Sequence, residues 1–141
     1  ERLLRVPLRP DCRPGIDTPL MLACREGCLE VAELLCQALA DKDRADAHAY
    51  TPLMWASGRG HLEIARLLCE AGTERDRAGM HGDTPLICAS RHGHLEVARL
   101  LCEAGVDADK EDANGDTALI NACAQGHAWV ARLLCEAGAE K

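Results

Sequence analysis

The chain has 141 residues, a formal net charge of -7, nine cysteines and few aromatics: Trp55, Trp129, Tyr50 and no phenylalanine. Its arginines are interleaved with acids, so it offers no extended basic face for nucleic-acid phosphates, and it has neither a bilayer-spanning apolar run nor a signal-peptide pattern. Leucine, alanine, valine and cysteine must therefore fill the interior, which suits thin helical layers that approach closely.

Residues 1–17 read as a degenerate start. Arg2-Leu3-Leu4 resembles the end of a helix from a preceding unit, but Leu4 stands 14 residues before Thr18 where Leu35 stands 16 before Thr51, and Pro7, Pro10 and Pro14 make the segment irregular. At Thr18 a fixed frame begins. Thr-Pro-Leu occurs at Thr18, Thr51 and Thr84 and returns as Thr117-Ala118-Leu119, each time 33 residues on. Gly27, Gly60, Gly93 and Gly126 follow nine residues after each threonine, and the pairs Leu34-Leu35, Leu67-Leu68, Leu100-Leu101 and Leu133-Leu134 seven residues after each glycine. A fixed period of this length means one supersecondary unit repeated, here over about 18–50, 51–83, 84–116 and 117–141.

The second unit shows how each should fold. Thr51 suits an N-cap and Pro52 the first helical position, where its missing N–H costs nothing. Leu53, Ala56 and Ser57 fall at i, i+3 and i+4 and predict an inward stripe on a short first helix. Gly60 breaks that helix and His61-Leu62-Glu63 starts a second, with Glu63 near its N-terminal dipole. Leu62, Ala65, Leu68 and Cys69 share a face with Ile64 and Leu67 beside it, while Arg66 can pair with Glu63 and Glu70 toward solvent. Gly72 stops the helix in the left-handed position. The stretch from Thr73 to Asp83 is too polar and glycine-bearing for a helix and predicts an extended turn or finger.

This unit resembles the ankyrin repeat: Thr84-Pro85-Leu86, Ala89, Gly93-His94-Leu95-Glu96-Val97-Ala98, Leu100-Leu101 and Glu103-Ala104-Gly105 fall where that family's pattern expects them, and the likeness covers residues 18–141. The resemblance implies an all-α solenoid of helix-turn-helix units with β-turn fingers projecting at right angles from one edge. Three departures stand out. The family often has a histidine after Thr-Pro-Leu that bridges neighbouring repeats; Met21, Met54, Ile87 and Ile120 stand there instead, so packing should replace the polar bridge. Leu39 replaces the glycine of Gly72, Gly105 and Gly138, so the first unit's second helix should end differently. The last unit stops at Lys141 with its leucine pair intact, which implies a longer parent chain or a partner over that end.

The same frame removes most candidates for chemistry. Cys36, Cys69, Cys102 and Cys135 form one column; stacked helices lie roughly 8–10 Å apart, beyond the about 7 Å a disulfide tolerates. They read as core filler in a reducing compartment, cytoplasmic or otherwise. His61, His94 and His127 recur with the period, which suits a residue organising the glycine turn rather than a catalyst. His92-Gly93-His94, Cys24 with Cys28, Cys88 with His92 and Cys123 with His127 lack the further ligands or orienting groups that zinc or nucleophilic catalysis needs. The acidic run from Asp107 to Asp116 fails as a calcium loop, because Asp112 and Ala118 hold the positions that need glycine and glutamate. No catalytic residue, metal ligand or cofactor site is predicted.

Function should lie where the copies differ. Four, seven and eight residues after each threonine stand Leu22, Arg25 and Glu26; Trp55, Gly58 and Arg59; Cys88, Arg91 and His92; Asn121, Ala124 and Gln125. The variable finger positions carry Ala47, His48 and Tyr50; Met80, His81 and Asp83; Ala113, Asn114 and Asp116. In ankyrin-like folds the fingers and first helices share the concave face, so the resemblance implies a partner surface made of Arg25, His48, Tyr50, Trp55, Arg59, Met80, His81, Asp83, Arg91, His92, Asn114, Asp116 and Gln125. Trp129 replaces the column of Glu30, Glu63 and Glu96 beside Ala128, either folding back over the space Ala128 leaves or offering a second contact on the outer face.

The reading that follows is a non-catalytic protein-recognition module with a protein partner and no nucleic acid. The alternative is a structural, peripheral subunit of a larger assembly docked through the ends or Trp129. Leu-Leu-Cys-Glu-Ala-Gly with charged loops is similar to ankyrin arrays of photosynthetic protists, which leaves an organellar assembly open. A redox or metal role for the cysteines ranks third.

Overall fold

The computed structural model describes residues 18–38 and 42–138. Four helix pairs follow one another: α1 (Pro19–Glu26) with α2 (Leu29–Ala38), α3 (Pro52–Arg59) with α4 (Leu62–Glu70), α5 (Pro85–Arg91) with α6 (Leu95–Glu103), and α7 (Ala118–Ala124) with α8 (Ala128–Glu136). First helices pack on first helices and second on second, giving two parallel rows. The expected degenerate start, the ending at Leu39 and Lys141 lie outside the described residues.

Each first helix begins as its sequence dictates. The Oγ1 atoms of Thr18, Thr51, Thr84 and Thr117 accept from the N–H groups of Met21, Met54, Ile87 and Ile120 at 3.2, 3.3, 3.2 and 3.3 Å. Proline opens α1, α3 and α5, so one donor that would have lacked a partner is absent. Leu20, Leu53 and Leu86 are 1–2% exposed and Ala56, Ala89 and Ala122 fully covered, the small side chains letting neighbouring rows close in. In α4 the inward face is Ile64, Ala65 and Leu68, at i, i+1 and i+4; Leu62, expected inside, is half-buried beside it.

The second helices α4, α6 and α8 have no side-chain cap. Their ends turn at Gly72, Gly105 and Gly138, with φ of +86°, +86° and +87°, where a β-carbon would be strained. Arg66 meets Glu63 at 3.1 Å and Arg99 meets Glu96 at 3.4 Å on the solvent side. Exposed pairs at this spacing contribute only ~0.3–0.5 kcal/mol each.

Two devices join each unit to the next. The first is apolar: Met21, Met54 and Ile87 are 0–1% exposed between rows, as expected. The second is polar and corrects the expectation that packing alone replaces the bridge. His61 Nε2 donates to the Arg25 carbonyl at 3.2 Å, His94 Nε2 to that of Gly58 at 3.0 Å and His127 Nε2 to that of Arg91 at 3.0 Å. The ring enters the space a side chain would take on the previous unit's glycine. A β-carbon on Gly27, Gly60 or Gly93 would lie 2.6, 2.5 or 2.6 Å from the imidazole, whereas one on Gly126 would meet nothing within 4 Å. Glycine and histidine columns are thus two halves of one joint.

Fingers between the pairs are tight turns closed by Asp46 N–H to Tyr50 O, Gly79 N–H to Asp83 O and Asp112 N–H to Asp116 O, each 2.9 Å. Single backbone bonds link finger to finger: Met80 N–H to His48 O and Ala113 N–H to His81 O, both 2.8 Å. Ala49 holds φ +60° where Gly82 and Gly115 occupy the same place in later fingers, so the first finger carries a strained alanine.

Burial of the cysteine column is deepest in the second repeat and is lost in the last. Cys69 is 7% exposed and its thiol is pushed up by burial, Cys36 and Cys102 are half-buried, and Cys135 is exposed. All cysteines among the described residues are free thiols.

Gly60 and Gly126 have nearly the same φ, +77° and +76°, so they separate backbone strain from the histidine joint. Gly126→Ala should cost about 1–2 kcal/mol from the left-handed conformation alone. Gly60→Ala should cost roughly 1–3 kcal/mol more, because the His94 ring must move. Urea-denaturation midpoints of the two variants check this; equal losses would show the joint to be soft.

Candidate functional site

The face made by fingers and first helices is built on buried aspartates. Asp46 sits at the base of the first finger, 9% exposed; its Oδ1 accepts from the N–H groups of His48 and Tyr50 at 2.9 and 3.0 Å, and its Oδ2 from Trp55 Nε1 at 3.0 Å. Asp112 repeats the design: Oδ1 accepts from the N–H groups of Asn114 and Asp116, and Oδ2 from Asn121 Nδ2 at 3.3 Å. The carboxylate closes its finger on one side and holds a first-helix side chain nine residues later on the other.

The middle repeat breaks this pattern in both members. Gly79 replaces the aspartate and Cys88 its partner. The Tyr50 ring fills the space over Gly79, where a β-carbon would come within 2.8 Å of it. The Tyr50 hydroxyl donates to Asp83 Oδ2 at 2.5 Å, and Arg91 closes on the same carboxylate as a fork, Nη1 to Oδ2 at 2.9 Å and Nη2 to Oδ1 at 2.7 Å. Arg91 Nε also donates to Asn121 Oδ1 at 3.2 Å, and Nη2 lies 3.5 Å from Asp112 Oδ2. A continuous polar belt therefore runs Tyr50–Asp83–Arg91–Asn121–Asp112 across three fingers.

Its electrostatics follow from burial and pairing. Burial by itself would raise the Asp83 carboxyl; the Arg91 fork and the Tyr50 hydroxyl outweigh it and hold the group below the ordinary carboxylate range. Tyr50 moves up, through burial and then its bond to Asp83, and Arg91 moves up through its bonds to Asp83. The Cys88 thiol is pushed up to about 12 by burial, then by Asp83 nearby, and that of Cys24 to about 12 by burial, so neither is a nucleophile at neutral pH.

Trp55 stands at the start of the belt. Arg25 lies over its ring, 4.5 Å from the centroid, Arg59 lies 5.8 Å away, and Tyr50 meets it tilted at 5.7 Å. The predicted set thus divides. Asp83 is 2% exposed and bound to its own chain, and Tyr50, Arg91 and Trp55 hold fingers to helices. Arg25 and Asp116 are half-buried beside them, Arg25 on the Trp55 ring and Asp116 closing the third finger. Arg59, His92 and Gln125 at the ends of the first helices, and His48, Met80, His81 and Asn114 on the fingers, face outward.

Asp46 and Asp112 were not singled out by the variable-position comparison. The signal was present as covariation inside the array: Asp46 with Trp55, Gly79 with Cys88, Asp112 with Asn121, two columns that change together.

Trp129 does not fold over Ala128. It is 68% exposed, with Arg132 5.9 Å from the ring, because its column faces solvent in every repeat: Glu30, Glu63 and Glu96 are exposed as well. At the same end Ile120 is 42% exposed, although its equivalents are buried.

No His, Cys, Asp or Glu trio among the described residues gathers as a metal-ligand set, and no helix among them is long and apolar enough to cross a membrane. A family model described as ankyrin repeats (3 copies) matches residues 2–78 and 71–141. No curated protein matches the sequence significantly.

Because folded Asp83 gives up its proton more readily than an unfolded aspartate, its pairing is complete above the ordinary value of ~3.9 and is lost as pH falls through the lower folded value. Asp83→Asn should therefore lower stability by roughly 2–3 kcal/mol at pH 7, and the gap to the parent should narrow progressively as pH falls below the ordinary carboxylate value of ~3.9. Urea titrations at stepped pH measure it; a gap constant with pH would remove the ionised carboxylate from the account.

Proposed function

The chain belongs to the ankyrin-repeat family, and from that premise we propose a non-catalytic recognition module that holds a protein partner against its finger and first-helix face. The observation that carries this is the division of the variable residues. An inner set, Trp55, Tyr50, Asp83 and Arg91, ties fingers to helices. An outer set rides on that floor, with Met80 59% exposed between His48 and His81 on fingers joined by backbone bonds. A rigid floor lowers the entropy lost when an exposed layer meets a partner. Such a surface has an apolar centre and a polar rim, the arrangement that specific interfaces use.

Non-catalytic action fits the jobs found for the reactive residue types. His61, His94 and His127 join repeats, and the buried thiols are raised out of reach. Exposed free thiols at Cys28, Cys123 and Cys135 favour a reducing compartment, cytoplasmic or organellar.

In the native complex, cross-linking with mass spectrometry should place the partner on the fingers and on α3 and α5. Met80→Ala and Arg59→Ala should each weaken binding by about 1–2 kcal/mol with the helical circular-dichroism signal intact. Cross-links confined to α8, with both variants binding as the parent does, would sink this reading.

A second reading rests on Trp129, a large apolar side chain 68% exposed on the outer face of α8 where the other repeats carry Glu30, Glu63 and Glu96. There the chain would dock as a peripheral subunit of a larger assembly. Trp129 should emit like a solvated indole in the free protein, measured as the difference between parent and Trp129→Phe. On this second reading it shifts to the blue on assembly, and an unchanged emission would count against it.

A further inference from the structure

We infer that the segment held on this face is an acidic peptide, its carboxylates met by Arg59 and His92 in the middle of the array; the inference rests on the recognition reading above. The chain as a whole is acidic, with net charge -7. Its exposed acids stand mostly on the second helices and outer loops, such as Glu63, Glu96, Glu70 and Glu103. On the finger and first-helix face the signs reverse. The carboxylates there, Asp46, Asp83 and Asp112, are turned inward and bonded to Trp55, Arg91 and Asn121. What faces outward in the middle is cationic or protonatable: Arg59, His92, His48 and His81. Glu26 at the first helix is the exposed acid of the same positions, and Asp116 is half-buried in the third finger.

These groups adjoin. Arg59 lies beside the Trp55 ring that Arg25 covers. A β-carbon on Gly58, the residue before Arg59, would be 3.8 Å from the His92 ring. Among the described residues Arg59 has no carboxylate partner. The His92 imidazole is held below its ordinary range by burial first and then by nearby positive groups, Arg91 and Arg59 among them. An arriving carboxylate would meet the Arg59 guanidinium as a charge partner and the His92 imidazole as a hydrogen-bond donor.

A peptide fits better than a nucleic acid. Base recognition without a sequence code uses free aromatic faces, and the aromatic on this face is already taken: Trp55 is stacked by Arg25, tilted against Tyr50 and bonded through its N–H. The cationic stretch is also short, ending at Glu26 on one side and Asp116 on the other, and a phosphate backbone would run across both.

Selection of random 12-residue peptides displayed on phage against the purified full chain tests it, with Arg59→Glu/His92→Glu and Met80→Ala as variants and Trp129→Ala as control. The expected result is enrichment of Asp- and Glu-rich peptides whose binding falls at least tenfold in the double variant, weakens with added salt, and is unchanged in Trp129→Ala. Peptides without acidic enrichment that are lost in Met80→Ala would overturn the acidic preference and leave the recognition face standing. Peptides insensitive to both Arg59→Glu/His92→Glu and Met80→Ala would overturn both. Displacement of the acidic peptides by a 20-nucleotide single strand at equal charge would also overturn the inference, naming nucleic acid as the ligand. Circular dichroism of the variants, whose changed residues are exposed, confirms that loss of binding is not loss of fold.

Discussion

The joint between an imidazole and the glycine of the preceding repeat governs this structure. At each internal boundary a histidine ring enters space that a side chain would fill, and its Nε2 donates to a carbonyl at the end of the earlier first helix. Carbonyls at a helix end lack intrahelical partners, so the bond satisfies a group the fold leaves open. Because glycine supplies the positive φ and the vacancy together, the turn between helices and the spacing between repeats are set by one residue. The three joints have nearly the same geometry, so the first helices arrive in a regular row. Everything on the finger face depends on that regularity.

The belt of polar side chains works within the frame the joints impose. In the first and third fingers an aspartate serves two clients, its own turn and a residue on the next helix. In the second, a glycine makes room for the Tyr50 ring from the finger before, and Asp83 and Arg91 carry the charge instead. A buried carboxylate is tolerable only when paired and fully bonded, and the Arg91 fork supplies both. The middle of the array thus exchanges a local aspartate for a longer-range network that couples neighbouring fingers. That exchange explains why variability in the middle repeats does not by itself mark partner contacts.

The charge layout follows from the same economy of pairing. Acids near the first helices are consumed in holding fingers, with Arg91 paired to Asp83 and Arg25 laid over the Trp55 ring, while Arg59 and the imidazoles of His48, His81 and His92 remain outward. A chain that is acidic overall consequently presents a locally basic strip. Recognition by such a strip gains from attraction at a distance, which raises the rate of encounter and depends on salt.

The scaffold was legible from residues alone: the period, the threonine caps, the glycine stops and the Leu, Ala and Val stripes are local signals, and helix formation obeys them. The bridging role of His61, His94 and His127 was half legible, since their recurrence marked them as structural but their target carbonyls lie 36 residues away. The division of Trp55, Tyr50, Asp83 and Arg91 from Arg59, His92 and Met80 was not legible, although all are variable. Which variable side chain turns inward depends on what stands 30 to 33 residues along, as Tyr50 with Asp83 and Arg91 with Asn121 show. The exposure of Trp129 was legible, because it stands in the column of Glu30, Glu63 and Glu96, which faces solvent in every repeat. Sequence by itself determined the unit, because a helix reads its neighbours three and four residues away. Only the tertiary structure decided the face, because a contact between repeats depends on residues that the chain brings together by stacking.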